Sequence, residues 1–549
     1  MAMRGLFPPL AALRPHSSCP SLGARRVVLV QVDGLSRPRL ERAMAEGYLP
    51  ALAERLATGG HALSSIRSGA PSSTPAFQAG LFYGVSPSVP GFVWFDRRTG
   101  RELRMDRPAD AATVETRVAA GVSRPLLRGG TSYFSLFSGG ASLPYFCVSG
   151  LAGEVDVEWH ERRLGAADAL ASAFAHAVGT ACSAVRLAHE VGAGIVDGLR
   201  WSVALGRAKN EPRFLAHRLV VQGLQRELAV QNVLLDISNG VPAIYVDFLG
   251  FDEYAHRRGP DSEAALGNLV SIDAALEAIL AAAEAVPALG YDVYVLSDHG
   301  HVATLPFESL AGAPLPEYVA AADRGEALPR ETRCVGRRQG LPGGRTLGAR
   351  RSGRIATAEA GDLAHVYFLD EPTPLPLEGV RSRHWRVLAA LSASRGVGLM
   401  AVRGGRRGFA LVRGEVMDLA EAREVARLPH PHPPILATYL SDLVSLPDSG
   451  DIVVLGWRGE GRPVVAYAWE FGSHGGVGPE ETEAFIVHPA KRPHAFDRVI
   501  RPSELYRYFE EGYRTPAEWS ARPSRGLRVA SGGSRRSVGP GDPQEVPAT

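Results

Sequence analysis

The chain has 549 residues, 45% of them hydrophobic, and a formal net charge of +2. That length and apolar content suit a large core and more than one domain-sized unit. A charge so near balance gives no global electrostatic case for nucleic-acid binding, and no nucleic-acid-binding module is evident. Lysine occurs only at Lys209 and Lys491, so the positive charge is nearly all arginine, a compositional bias rather than a functional signal. Cys19, Cys147, Cys182 and Cys334 have no metal-type spacing and are too sparse for a disulfide scaffold. Any metal would therefore be held by nitrogen and oxygen ligands. No apolar run is long enough to predict a transmembrane span.

Residues 1–26 read as a disordered leader. The apolar stretch Leu6–Leu13 is short, contains Pro8 and Pro9, and runs into Arg14, which is a poor signal peptide. On that ground the expected location is cytoplasmic. Residues 27–165 read as the first part of an α/β core. Val27–Val32 is an apolar run interrupted only by Gln31, the pattern of a central parallel strand covered on both faces, and it ends at Asp33-Gly34. Helices are expected over Arg37–Glu46 and Leu49–Ala57. Thr74 followed by Pro75 reads as an N-cap opening a helix over Ala76–Phe82. The free N–H groups of such a helix start would also suit a phosphate or an oxyanion.

Residues 166–240 read as a helical insertion. Ala, Leu and Val recur at helical spacing over Ala166–Asn239, with breaks near Gly192-Ala-Gly194 and Asn210-Glu-Pro212. A packed cap is the preferred reading over membrane contact. The core resumes over 241–320. The strand Ala243–Val246 precedes Asp247 and leads to Asp252 and His256. An amphipathic helix follows, with Leu266, Leu269, Ile272, Leu276, Ile279 and Leu280 on one face. The strand Val293–Leu296 then delivers Asp298-His299. Residues 321–361 are rich in Arg and Gly and read as an exposed loop; Arg330, Arg333, Arg337, Arg338, Arg345, Arg350, Arg351 and Arg354 crowd it. The last part of the core spans 362–515. Its expected strands are Leu363–Leu369, Gly396–Val402, Gly408–Val412, Ile452–Leu455, Val464–Tyr467 and Ala484–His488, with a helix over Arg381–Ser394. Residues 516–549 read as a disordered tail. The whole predicts an α/β fold: a mostly parallel central sheet, helices on both faces, and an inserted helical cap.

Three strings stand out: Asp252-Glu-Tyr-Ala-His256, Ser297-Asp298-His299-Gly300 and Gly472-Ser473-His474-Gly475. With Asp33 and Thr74 they supply three Asp, three His and one hydroxyl. That set can hold two divalent metals with the hydroxyl on one of them. Each string alone is a weak signal, and a lone Asp or His at a strand end more often serves a turn. His61, His301 and His488 match no required position and are read as structural.

In these residues the chain resembles the alkaline phosphatase superfamily, and within it the type I phosphodiesterase/nucleotide pyrophosphatase branch. The resemblance covers roughly residues 26–310 and 360–510. It implies one metal on Asp33, Asp298, His299 and the Thr74 oxygen, and a second on Asp252, His256 and His474. Zinc is the first expectation for both, with manganese compatible. It also implies Thr74 as catalytic nucleophile, a phospho-threonine intermediate, and a small-molecule or lipid phosphate ester as substrate. Members of this family are often exported. Relatives commonly place an Asn shortly after the nucleophile helix, whereas Gly91–Asp96 here contains none, so Trp94 and Phe95 are either an apolar wall for a leaving group or core. The rival readings are a phosphomonoesterase or phosphotransferase, including lipid headgroup transfer, and a non-catalytic binding protein.

Overall fold

The computed structural model describes residues 25–85, 89–152, 192, 194–200, 223–329, 348–468 and 470–513. Most of the expected leader and insertion, the tail from 514, and Arg330, Arg333, Arg337, Arg338 and Arg345 lie outside them. The first apolar run forms the strand Arg26–Val32, buried along its whole length. It lies in parallel register between Ala243–Phe248 and Tyr291–Leu296. Thr131–Tyr133 and Leu143–Tyr145 continue the parallel sheet beyond Ala243–Phe248. At the opposite side Glu483–Pro489 runs antiparallel between Tyr291–Leu296 and the edge strand His61–Arg67, completing seven strands.

Side chains of Arg26–Val32 alternate between two cores. Val28, Val30 and Val32 meet Ile244, Val246, Val293 and Val295 under the helices Arg37–Ala45, Gln225–Ser238, Gly250–Arg258 and Glu263–Ala285. Val27 and Leu29 meet Tyr245, Tyr294 and Leu296 under Thr74–Tyr83, Pro108–Ala119 and Pro502–Gly512. Burial on both faces is why the run is continuous rather than alternating. Each such side chain contributes about 1.5–3 kcal/mol relative to exposure. Among the described residues only Glu263–Ala285 is long and apolar enough to cross a bilayer, and it is spent on this core. Ser262 caps it, its hydroxyl accepting from the Ala265 N–H.

A second sheet of seven antiparallel strands follows in the order Gly348–Ser352, Ile355–Ala360, Leu363–Phe368, Ile452–Leu455, Leu399–Val402, Phe409–Val412, Glu415–Asp418. Its first hairpin corrects the expected loop. Ile355–Ala360 is buried throughout, yet its small residues give no alternating pattern. Arg350 and Arg351 sit on the partner strand, and Arg354 binds Asp323 and Asp370. The expected helix Arg381–Ser394 is two helices, Leu377–Arg383 and Trp385–Ala393, broken at His384, whose buried ring stacks on Phe368. A helix the sequence reading did not mark, Pro433–Ser445, covers one face through Leu436, Leu440 and Leu443.

Gln225–Ser238, the end of the expected insertion, packs into the first core through Ala229, Val230, Val233 and Ile237, so this portion is not a cap. Residues 194–200 are helical, and Asp197 there accepts two hydrogen bonds from Arg258, at 3.1 and 3.0 Å. A small sheet joins the two halves: Val302–Pro306 pairs with Val464–Ala466 and with Gly472–Ser473.

Candidate active site

The three central parallel strands end at one edge of the sheet, where open α/β sheets place ligands. Asp33 follows Val32, and its N–H donates to Phe248 O. Asp298 and His299 follow Leu296. Asp252 and His256 lie four apart on Gly250–Arg258, so one helix face presents both. His474 arrives from the far end of the chain because Gly472–Ser473 pairs with Ala303 and Val302. Thr74 is the first residue of its helix; the capping position belongs to Ser73, whose backbone is extended. The Thr74 hydroxyl is therefore not a cap. It is buried and lies 3.2 Å from His299 Nε2.

The side chains gather into two groups, each with its donor atoms within 4.8 Å of one another: Asp33, Asp298 and His299, and Asp252, His256, His474 and His301. The rings of His299 and His474 stack at 3.7 Å, so the groups share a wall. Three of the imidazoles are fixed from behind. His299 Nδ1 lies 3.2 Å from Gly300 O, His256 Nδ1 3.1 Å from Gly472 O, and His474 Nδ1 2.9 Å from Ser72 O. A carbonyl only accepts, so each Nδ1 carries a proton and donates. In the neutral rings each Nε2 then turns a lone pair into the site, the arrangement that metal-binding histidines use. By the same logic the Thr74 hydroxyl donates to His299 Nε2.

Burial and crowded like charges set the electrostatics of the site. Burial, followed by Asp298, Asp252 and Asp247, holds the Asp33 carboxyl well above its ordinary range. Burial and Asp252 push Asp298 up to about 6. Burial brings His299 down to about 4, and burial with the adjacent His299 brings His474 to about 3. At Asp252 burial acts upward, but His256 and His301 carry its carboxyl well below the usual range. At His256 burial acts downward, yet Glu470 and Asp252 hold it well above. Asp33 Oδ1 and Asp298 Oδ2 are buried without a hydrogen-bond partner. Crowded carboxylates with orphaned oxygens, faced by imidazole lone pairs, fit a divalent cation by donor chemistry.

All seven expected residues come together. The sequence reading missed others. His301, read as structural, is fully buried in the second group. Asp247 accepts from Gln31 and Gln78 beneath the site. Glu470 lies 3.2 Å from His256 Nδ1. Within Gly91–Asp96, Trp94 is fully buried core and Phe95 packs on Tyr367.

A parallel sheet that gathers a buried hydroxyl and two nitrogen–oxygen donor groups at its strand ends places this protein in the alkaline phosphatase superfamily. Residues 27–320, more than half of the chain, match the family model for type I phosphodiesterase / nucleotide pyrophosphatase. The chain belongs to that family and is a hydrolase acting on phosphoric ester bonds. The crystal structure of phosphonoacetate hydrolase from Sinorhizobium meliloti 1021 in complex with phosphonoformate is similar in structure. Its TM-score is 0.44 at 17% identity, covering 89% of this chain and 96% of that one. No curated protein matches the chain.

Proposed function

We propose that the protein is a metal-dependent phosphodiesterase or pyrophosphatase that works through a phospho-threonine intermediate on Thr74. The observation that carries this is the pairing of two convergent donor groups, with orphaned oxygens on Asp33 and Asp298, beside the buried Thr74 hydroxyl. Asp33, Asp298, His299 and the Thr74 oxygen would hold one divalent cation, and Asp252, His256 and His474 the other. Zinc suits the nitrogen–oxygen set, and manganese is compatible with it. The bound cations would supply Lewis-acid chemistry: a lower hydroxyl pKa and neutralised charge on the phosphoryl and leaving oxygens.

The chain's own residues do the rest. Thr74 Oγ1, held at the start of its helix, gives up its proton to solvent water and attacks phosphorus. The bond to the leaving-group oxygen breaks, and a phosphoester to Thr74 remains. Water then attacks that phosphorus, the bond to Thr74 Oγ1 breaks, and a proton from the water restores the hydroxyl. His299, His256 and His474 keep their Nε2 lone pairs directed inward through their Nδ1 hydrogen bonds.

The absence of Asn in Gly91–Asp96 favours a second reading, a phosphomonoesterase or phosphotransferase, including one acting on lipid headgroups. The insertion is proposed to help select the leaving group; supporting this, Asp197 grips Arg258, two residues beyond His256. Elemental analysis of protein purified without chelator, followed by paired chromogenic monoester and diester assays, tests the reading. Two ions per chain and faster diester turnover are expected. Hydrolysis that persists in metal-free protein would overturn it, and monoester preference would select the second reading.

A further inference from the structure

Four imidazoles surround the two donor groups, and one is held unlike the rest. His256, His299 and His474 each donate from Nδ1 to a backbone carbonyl. His301 Nδ1 is buried and has no hydrogen-bond partner. Its Nε2 lies 2.5 Å from Asp252 Oδ1. Only one ring nitrogen of a neutral imidazole carries a proton. Placing it on Nδ1 would bury an N–H with no acceptor and would aim the Nε2 lone pair at a carboxylate oxygen. Placing it on Nε2 makes a charge-assisted hydrogen bond and leaves Nδ1 bare, the less costly state for a buried nitrogen.

We infer that His301 is a positioning residue, not a metal ligand: its Nε2–H donates to Asp252 Oδ1 and fixes the Asp252 carboxylate for the second cation. This rests on the metal reading above. The surroundings are built for the contact. Arg39, buried and paired with Glu480, donates from Nη1 to His301 O at 2.9 Å, anchoring the backbone. The next residue, Val302, enters the pairing with Ser473 that places His474. Gly34 leaves space for the His301–Asp252 pair: a Cβ there would meet His301 Cδ2 at 2.7 Å and Asp252 Oδ1 at 2.8 Å. The ring of His301 therefore locks one carboxylate oxygen and leaves Asp252 Oδ2 to face His256 Nε2, 3.4 Å away.

The test is metal affinity in the full-length protein, measured by chelator competition with zinc for wild type, His301→Leu and His301→Gln. Circular dichroism and a melting curve establish that each variant is folded. The Leu variant lacks a donor, and one of two zinc sites should weaken about 10–100-fold while the other is unchanged. The Gln variant, with an amide N–H in reach of Asp252, should recover most of that loss. Wild-type affinity at both sites in the Leu variant would overturn the inference. Equal loss in Leu and Gln would also overturn it and make His301 a ligand. A wild-type protein that binds no zinc would instead overturn the metal reading and this inference with it. The first two outcomes leave the metal reading standing.

Discussion

Gly34 is the point where a single methyl group should disturb the site most. Its φ is +73°, in the left-handed region that favours glycine. Alanine there costs about 1–2 kcal/mol for the backbone alone. The added Cβ would also fall 2.7 Å from His301 Cδ2, 2.8 Å from Asp252 Oδ1 and 3.2 Å from Asp252 Cβ. Contacts that short force movement, and overpacking of this kind costs about 1–3 kcal/mol more. Gly34→Ala should therefore destabilise the fold by about 2–5 kcal/mol. The displaced carboxylate belongs to the second donor group, so on the two-metal proposal that group should lose its cation. The Gly34 N–H to Asp298 Oδ1 contact at 3.2 Å survives the change, so the first group should keep its own. Chemical denaturation measures the first quantity and elemental analysis the second. A Gly34→Ala protein with wild-type stability and two bound ions would refute both the strain argument and the assignment of Asp252.

Thr74→Ala should abolish turnover while leaving the melting temperature nearly unchanged, because the hydroxyl caps no helix, and Thr74→Ser should retain measurable activity; rapid hydrolysis by the Ala variant removes the nucleophile assignment. Chelation should lower the melting temperature and added zinc should restore it, since Asp33 and Asp298 then face each other uncompensated; a melt indifferent to chelator counts against bound metal. Burial raises Asp236 from 3.8 to about 6, so its protonated form is the one the fold favours. Stability from this group is fully present below the unfolded pKa and is lost as pH rises through about 6, amounting to about 3 kcal/mol by pH 8. Asp236→Asn, still able to accept from Thr131 and Tyr133, should recover up to that amount at pH 8 and almost none at pH 3.5; a gain of the same size at both pH values rules out burial of the charged carboxylate as the cause. Replacing the insertion up to residue 222, with its 194–200 helix, by a Gly/Ser linker while keeping Gln225–Ser238 should alter substrate preference but not metal content, as judged by paired assays and elemental analysis.

What could be read in advance divides along the reach of the interactions. Asp252 and His256 are legible because four residues on a helix fix their relation. Asp298-His299 is legible because a strand end does the same. The doubly buried strand Arg26–Val32 announces itself by being apolar without alternation. His301 could not be found this way. It enters the site through the pairing of Val302 with Ser473, a contact across about 170 residues that no local pattern encodes. Asp247 was hidden because it sits inside a strand, where its partners Gln31 and Gln78 come from two other elements. Ile355–Ala360 failed for another reason: alanine and threonine carry too little hydrophobic contrast to mark a strand, and packing on both faces decides the matter instead. The break at His384 likewise depends on a ring stacked on Phe368, a tertiary contact with no helix-stop residue before it.

The place of the last strand in the central sheet has a consequence for how the protein is made. His61–Arg67 has one neighbour in that sheet, Glu483–Pro489, which itself occupies the gap beside Tyr291–Leu296. At ribosomal speeds of about 5–20 residues per second, the early strand waits roughly 20–80 s for its partner. The two donor groups mature on the same clock. Asp33, Asp298 and His299 can meet once the middle of the chain has emerged, whereas Asp252 and His256 lack His474 until nearly the end. On the two-metal proposal a nascent chain completes one site well before the other, and a truncated product would keep an unpaired strand edge, the kind of surface that pairs with neighbouring chains.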